Sequence, residues 1–239
     1  MSSREVYAIF VAGGSGTRMG GDVPKQFLDL CGEPVLLRSI GRFLEAAPSA
    51  HVIVVLPAAH IQTWRELCVK HAVSFAQTIV KGGMTRFHSV QEALEKVPDG
   101  VIVSVHDGVR PLVSPAMVRG MIESMEAGVY TGAGSGAIST SAVRALIPAL
   151  PVTDTLRCLE PGATLPPRSS LVAVQTPQMF LSEDIKRAYA QPYDTSFTDD
   201  ASVVERLGIP ISIFPGEKFN IKITTPEDLA LARLLLAQQ

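Results

Sequence analysis

Short apolar runs alternate with amphipathic stretches along most of the chain. The runs at residues 6–12, 51–57 and 100–108 are nearly continuous in apolar and β-branched side chains. Between them, residues 60–71 and 86–97 place apolar side chains three or four positions apart, the spacing of one helical face. Strands that are apolar along their whole length are typical of a parallel sheet covered on both faces. The pattern predicts an α/β fold: a single Rossmann-like domain with a mostly parallel twisted sheet and helices on both faces.

Three predicted helix starts carry capping residues. Ser114, Thr198 and Thr225 each stand just before an amphipathic stretch, where a hydroxyl can accept a hydrogen bond from the first turn. Proline follows Ser114 and Thr225 at the first helical position, where the missing N–H would have no helical partner. We therefore expect helices to begin directly after these three residues.

Residues 149–175 interrupt this alternation. They combine short β-like pieces with several prolines, unlike the apolar strands and amphipathic stretches before them. This composition predicts a hairpin arm that leaves the main sheet. One domain then spans residues 1–239, with residues 149–175 as a protruding arm.

Composition places the chain among ordinary globular proteins. Hydrophobic residues make up 46% and charged residues 18%, and 21 basic against 23 acidic residues leave a net charge of −2. So small a charge provides no field to attract nucleic acid or a membrane surface, and we expect neither partner. Cys31, Cys68 and Cys158 lack the spacing of a disulfide framework, so we expect buried, unpaired thiols in a cytoplasmic protein. We also expect no signal peptide and no membrane span, since every apolar run is short.

A glycine-rich loop, AGGSGTRMGGDVPKQF at residues 12–27, follows the first predicted strand. A dinucleotide-binding fingerprint would need a glycine at Met19, and a Walker loop would need a Gly-Lys-Ser/Thr triplet that the chain lacks. What remains is a loop whose N–H groups can hold phosphate oxygens, with Arg18 and Lys25 as added cations. Two cations suit a triphosphate. A glycine turn beside two solvated basic residues is the alternative.

Seven motifs in a fixed order extend from about Val6 to the C-terminus. After the glycine loop they are GGMTRFHSV, VHDGVRP, PVTDT, QTPQMF, TDDAS and NIKITTPEDL. Together they resemble the 2-C-methyl-D-erythritol 4-phosphate cytidylyltransferases, a family within the sugar-phosphate nucleotidyltransferases. The resemblance implies an enzyme that transfers a cytidylyl group from CTP to methylerythritol phosphate and releases pyrophosphate, in the non-mevalonate isoprenoid pathway. The alternatives are a ribitol-5-phosphate cytidylyltransferase, a CTP-binding sensor without turnover, and a dinucleotide oxidoreductase.

The resemblance also implies roles for individual residues around CTP. Arg18, Lys25 and Lys222 would stabilise the pentacoordinate α-phosphorus and the leaving pyrophosphate. Asp107 would hold Mg²⁺ or another divalent cation against the phosphates, since Mg²⁺ prefers one or two carboxylates together with phosphate oxygens. The residues implied in CTP binding are Ala12, Gly13, Gly14, Ser15, Gly16, Gly83, Arg86, Ser89 and Asp107.

A second set of residues would bind the acceptor phosphate. The residues implied are Gly108, Arg110, Thr155, Arg168, Thr198 and Lys222. In the family, the arm at residues 149–175 crosses to a second subunit, so Arg168 would serve the neighbour's site in a homodimer. His106 invites a role as general base, but we interpret it as a histidine packed at a strand end.

The chain departs from the family pattern between Ala127 and Pro148. This stretch is longer than the family's link from helix to strand and is rich in small residues, most of all from Gly132 to Ser141. We predict an inserted or altered surface loop there.

Overall fold

The computed structural model describes residues 4–14, 23–129, 142–160 and 162–238. The segment Gly132 to Ser141, predicted as an altered loop, lies outside these residues. The strands are β1 Val6–Val11, β2 Asp29–Leu30, β3 Glu33–Pro34, β4 His51–Leu56, β5 Gln77–Lys81, β6 Ile102–Asp107, β7 Ala145–Pro151, β8 Val172–Val174, β9 Gln178–Leu181 and β10 Ser212–Pro215. The α-helices are α1 Val35–Leu44, α2 Ile61–Lys70, α3 Arg86–Leu94, α4 Pro115–Ala127, α5 Ser182–Tyr189, α6 Asp200–Glu205 and α7 Pro226–Leu236.

One large sheet lies at the centre of the molecule. Its strands follow the order β10-β7-β9-β6-β1-β4-β5, and β8 pairs with β7 outside this order. β1 is parallel to β4 and β6, β4 is parallel to β5, and β7 is parallel to β10. β9 is antiparallel to both of its neighbours. The predicted mostly parallel sheet is confirmed.

Helices cover both faces of this sheet. On one face, Val90 of α3 and Val204 of α6 belong to a buried apolar cluster. On the other, Phe43 of α1, Trp64 of α2 and Met121 of α4 belong to a second cluster, and all three are fully buried. Because successive strand residues point to opposite faces, strands buried on both sides are apolar without interruption, as the sequence pattern indicated.

The structure confirms two of the three predicted helix starts and moves the third. Ser114 caps α4, and Thr225 caps α7 in a reciprocal pairing with Asp228. The prediction that Thr198 precedes the next helix directly is wrong by one residue. Asp199 is the cap, because its carboxylate accepts a hydrogen bond from the Ser202 N–H at 2.9 Å while the Ser202 hydroxyl pairs with the cap's own N–H. Among the described residues, no helix is long and apolar enough to cross a membrane.

The segment at residues 149–175 leaves the sheet as an extended hairpin. Its two ends pair in the antiparallel sense, Ala149 opposite Val174 and Leu150 opposite Ala173. Between them, every described side chain from 153 to 170 is exposed. The use of this arm in dimerisation stays a prediction.

The expectation of buried thiols is wrong for two of the three cysteines. Cys31 and Cys158 are exposed, and Cys68 is half-buried. Cys31 and Gly32 form the two-residue turn between β2 and β3, and both have positive φ, the conformation that tight hairpin turns of this twist require. The side chain at such a turn points into solvent.

Candidate active site

Four parallel strands end at one edge of the sheet, and a cavity of about 480 Å³ opens there. The loops after the carboxyl ends of parallel strands share one side of an α/β sheet, which is where such folds bind ligands. Nine of the residues singled out from the sequence line this cavity. They are Ala12, Gly13, Gly14, Lys25, Gly83, Arg86, Ser89, Asp107 and Lys222.

A short 3₁₀ turn, Lys25–Phe27, brings the Lys25 side chain to the glycine loop. The neighbouring Gln26 is buried, and its side-chain amide donates to the Ala12 carbonyl at 2.8 Å, which ties the turn to the end of β1. Lys25 is 9% exposed, and a Cβ placed on Gly14 would lie 3.6 Å from its Cε. Lys25 therefore lies against Gly14, at the start of the glycine-rich segment.

The opposite wall is built by the start of α3. Thr85 caps this helix, and the Ser89 hydroxyl accepts a hydrogen bond from the Gly83 N–H at 3.2 Å. A Cβ on Gly83 would lie 2.5 Å from the Cβ of His88, closer than real atoms approach, so only glycine fits. The close turn brings the backbone at Gly83 and the hydroxyl of Ser89 to the same part of the wall.

Arg86 lines the cavity but is already held by a buried carboxylate. Its guanidinium makes two parallel hydrogen bonds to Asp200, at 2.8 and 2.5 Å, and Asp200 is fully buried. The Tyr189 hydroxyl donates to the same carboxylate at 2.6 Å, and burial followed by the charge of Asp200 raises the pKa of this phenol. Arg86 is thus a rigid part of the wall, joined to α5 and α6.

Asp107 ends β6 at the floor of the cavity, between two cations. Its Oδ2 atom is 3.0 Å from Lys222 Nζ and 3.2 Å from Arg110 Nε. Burial alone would raise the pKa of Asp107, but the charge of Lys222, followed by those of Arg86 and Arg110, holds it well below its usual range. The site therefore keeps an ionised carboxylate beside two basic side chains.

His106 packs beneath this floor and does not line the cavity. It is fully buried, and burial lowers its pKa to about 4, so the ring is neutral near pH 7. The Thr176 hydroxyl lies 3.0 Å from His106 Nδ1 and accepts a hydrogen bond from the Asp107 N–H at 3.0 Å. The geometry agrees with the packed histidine expected from the sequence and gives it a part in fixing Asp107.

Several implied acceptor residues lie outside the cavity. Arg110 contacts Asp107 at its edge, whereas a Cβ on Gly108 would lie 2.6 Å from Leu36, so packing against α1 explains this glycine. Three others are exposed and do not line it: Thr155, Arg168 and Thr198. Three predicted site residues lie outside the described residues, and these are Ser15, Gly16 and Arg18.

Four buried polar residues at the site had been given no role from the sequence. They are Gln26, Gln175, Asp200 and Asn220. Each belongs to a motif that the sequence analysis quoted. Gln26, Asp200 and Asn220 also stand within two residues of Lys25, Thr198 and Lys222, which were given roles there. That adjacency is the signal that could have pointed to them.

The chain matches known proteins over nearly its whole length. The family model for 2-C-methyl-D-erythritol 4-phosphate cytidylyltransferase matches residues 6–238. The chain belongs to this family. The enzyme of that name from Porphyromonas gingivalis is 47% identical over 233 residues, 96% of this chain and 97% of its own length. The one from Phocaeicola vulgatus is 42% identical over 231 residues, 96% of this chain and 99% of its own.

Solved structures of the cytidylyltransferase family share this fold over nearly the whole chain. The 2-C-methyl-D-erythritol 4-phosphate cytidylyltransferase of Thermus thermophilus has a TM-score of 0.72 at 30% identity, covering 99% of this chain and 100% of that one. The 4-diphosphocytidyl-2C-methyl-D-erythritol synthase of Anaerococcus prevotii has a TM-score of 0.77 at 25% identity, covering 98% and 97%. These matches confirm the resemblance and the fold class, and they exclude a dinucleotide oxidoreductase.

Proposed function

We propose that this chain transfers the cytidylyl group of CTP to 2-C-methyl-D-erythritol 4-phosphate and releases pyrophosphate. The observation that carries the proposal is the arrangement of Lys25, Lys222 and Arg110 around one carboxylate-bearing cavity, in a chain that the family model spans from residue 6 to 238. The product is 4-diphosphocytidyl-2-C-methyl-D-erythritol, a step of the non-mevalonate isoprenoid pathway.

The chemistry is a displacement at the α-phosphorus of CTP. An oxygen of the acceptor phosphate forms a bond to this phosphorus, and the bond from it to the β-phosphate oxygen breaks. Such transfers depend on positioning and on neutralising negative charge, because the protein forms no covalent bond. We assign Lys25 and Lys222 to neutralising that negative charge. Arg18, which lies outside the described residues, is assigned the same role.

The cytosine end of CTP is assigned to the wall at α3. Ser89 already accepts from the Gly83 N–H, which leaves its own O–H to donate to an acceptor on the base. The carbonyl groups of Ala12, Gly13 and Gly83 and the N–H of Gly13 are assigned to further hydrogen bonds with the base. Buried polar groups of this kind reject a base that cannot pair with them.

Mg²⁺ belongs to the same proposal, and Asp107 fits it. Both ion pairs of Asp107 end on Oδ2, so Oδ1 takes part in neither, and the carboxylate stays ionised. One carboxylate together with phosphate oxygens is the donor set that Mg²⁺ takes in nucleotide sites. The ion, when bound, would neutralise charge on the triphosphate.

The acceptor site is proposed to be shared between two copies of the chain. Thr155 and Arg168 lie on the exposed arm, and neither lines the cavity of its own chain. The arm also exposes apolar side chains, with Leu159 97% and Leu156 48% accessible. A second subunit against the arm would cover these leucines and receive Arg168 in its cavity, whereas Thr198 and Gly108 would come from the same chain as Lys25.

A cytoplasmic location is part of the proposal. The three cysteines are free, which is typical of proteins in reducing compartments. The isoprenoid precursor pathway also requires CTP, a nucleotide of the cell interior.

The test is pyrophosphate release from CTP and Mg²⁺ with methylerythritol 4-phosphate or ribitol 5-phosphate supplied separately. We expect release with the first alone. Release with ribitol phosphate alone would contradict the acceptor and leave the CTP site standing, and CTP binding without release from either would support the sensor alternative.

A further inference from the structure

Hydrogen bonds from one buried side-chain amide connect the arm to the segment that carries Lys222. Gln175 directly follows β8, the returning strand of the arm, and is 7% exposed. Its Nε2 donates to the Glu217 carbonyl at 2.8 Å, and its Oε1 accepts from the Glu217 N–H at 3.0 Å. One side chain thus satisfies both backbone groups of Glu217, as a neighbouring strand would.

The same segment reaches the charged floor of the cavity through Asn220. This residue is fully buried, and its Nδ2 donates to the Thr176 carbonyl at 2.9 Å. Its own carbonyl accepts a hydrogen bond from Arg110 Nη1 at 2.7 Å. Two residues later, Lys222 Nζ lies 3.0 Å from Asp107 Oδ2. The backbone between Glu217 and Lys222 therefore decides where both cations meet Asp107.

Both ends of this segment are fixed to the body of the fold. The Gly216 N–H donates to the Ala149 carbonyl at 2.8 Å, and the Ile223 N–H donates to the Val109 carbonyl at 2.9 Å. A Cβ on Gly216 would lie 2.8 Å from Gln175 Oε1, so the close approach of this side chain requires glycine there. Between the two ends, Gln175 holds Glu217 at the start of the segment, and Asn220 holds its middle through the Thr176 carbonyl.

We propose that Gln175 is a positioning residue for the transfer: its amide holds residues 217–222 so that Lys222 and Arg110 keep their places on Asp107. The inference rests on the proposed function, which gives Lys222 its role at the phosphates. Because Gln175 directly follows β8, any displacement of the arm at β8 reaches Lys222 through this amide.

Gln175→Glu tests this with little change in shape. The new carboxylate oxygen replaces the Nε2 donor and faces the Glu217 carbonyl without a hydrogen, while the other oxygen can still accept from the Glu217 N–H. A misplacement of about 1 Å at a reacting centre lowers rates about 100-fold, so we expect a fall in kcat of that order. The KM for CTP should change little, since the walls at Gly14 and Ser89 are untouched.

Gln77→Glu is the matched control. The side-chain amide of Gln77 also forms hydrogen bonds, accepting from Trp64 Nε1 at 2.9 Å and donating to Cys68 Sγ at 3.4 Å. It stands at the start of β5, away from the cavity. We expect a kcat within about twofold of the wild type, since substitutions remote from a site rarely change its geometry.

A double-mutant cycle separates positioning from general damage. Single-turnover transfer of labelled CTP is measured for Gln175→Glu alone and in a Lys222→Ala background. If Gln175 acts through Lys222, Gln175→Glu should reduce the transfer rate by a factor at least about fivefold smaller in the Lys222→Ala background than in the wild type. The reason is that contacts within one network are non-additive. An equal factor in both backgrounds, or a wild-type rate for Gln175→Glu, overturns the inference.

A second variant covers the case in which Gln175→Glu does not fold, judged by circular dichroism and thermal midpoint. Asn220→Asp replaces the donor to the Thr176 carbonyl. Its single-turnover transfer rate is measured alone and in the Lys222→Ala background, and the same two results support or overturn the inference. Failure of the proposed function would be distinct from either outcome, since the wild-type chain itself would then transfer nothing to methylerythritol phosphate.

Discussion

Asp107 remains ionised in a buried position because Lys222 and Arg110 both end on one of its oxygens. Arg86 is held in a comparable way by the buried carboxylate of Asp200. A cation that is fixed before the substrate arrives needs little reorganisation when charge develops, which is the main source of electrostatic catalysis.

Lys25→Ala removes a basic side chain that lies against Gly14, at the start of the glycine-rich segment. We expect kcat with CTP to fall at least about 100-fold, the usual loss when one stabilising donor is removed. Lys70→Ala, at an exposed position at the end of α2, is the control and should keep full activity. Circular dichroism would establish that both variants fold, and wild-type turnover by Lys25→Ala would remove this residue from the catalytic centre.

His106→Asn tests the buried neutral imidazole through stability against pH. The folded pKa of His106, about 4, lies below the ordinary value of 6.5, so the unfolded chain binds a proton first as the pH falls. His106 therefore lowers the free energy of unfolding between pH 6.5 and 4, by up to about 1.4 kcal/mol per pH unit. Asparagine keeps an acceptor for Thr176 but does not titrate.

Urea unfolding of both proteins at pH 7, 6, 5 and 4 measures this difference. We expect the wild type to lose more stability than His106→Asn across that range. The carboxyl of Asp107, whose folded pKa is lowered, loses its contribution only at more acid pH and is present in both proteins. Parallel curves would show that His106 titrates normally and is not held neutral.

Two helix starts were predicted correctly from side chains that accept a hydrogen bond from the first turn of their own helix. Ser114 and Thr225 act within their own first turns, so the sequence alone was sufficient. For α6, Thr198 was the predicted cap, whereas the cap in the structure is Asp199, whose carboxylate also accepts from the side-chain amide of Gln178 in β9 at 2.8 Å. That second contact joins residues 21 positions apart, which no local pattern indicates.

Asp199→Ala and Thr198→Ala form a matched pair at this helix start. Loss of the Asp199 cap should lower the free energy of unfolding by about 1–2 kcal/mol. Thr198→Ala should change it by less than about 0.5 kcal/mol, since this side chain is exposed. If Thr198 binds the acceptor, its removal should instead raise the KM for methylerythritol phosphate. Equal destabilisation by both variants would contradict the assignment of the cap.

In the candidate site, too, local sequence indicated some residues and not others. Lys25, Ser89, Asp107 and Lys222 could be selected from motifs, because each was carried by a short quoted sequence. The contacts of their buried supports could not be predicted, because partners such as Arg86 and Asp200 are 114 positions apart and meet only when the sheet is assembled. Adjacency within a motif can mark a buried amide or carboxylate as a candidate, but the partner that satisfies its hydrogen bonds is set by the fold.

We predict that the arm of one chain completes the active site of a second copy. Arg168 is exposed and bonds only locally to the Thr153 carbonyl at 3.0 Å among the contacts described, so it is available to a second copy. Arg168→Ala and Lys25→Ala should each be poorly active alone. In a mixed dimer, one cavity would receive an intact Lys25 from one chain and an intact Arg168 from the other, so about half of the wild-type activity should return.

The mixed dimer can be isolated with two different affinity tags and assayed beside both parent dimers. Arg157→Ala is the control on the same exposed arm and should be active without a partner. A mixed dimer no more active than its parents would contradict a site shared between subunits. A chain that stays monomeric at assay concentrations would contradict the dimer itself.

The most direct test of the central claim follows the phosphorus atoms of CTP. CTP labelled at the α-phosphate and CTP labelled at the γ-phosphate are incubated separately with the wild-type chain, Mg²⁺ and methylerythritol 4-phosphate, and the products are separated. If the chain transfers the cytidylyl group, the α-label appears in the methylerythritol product and the γ-label in pyrophosphate. Transfer of the γ-label to the acceptor, or retention of both labels in CTP, would contradict it.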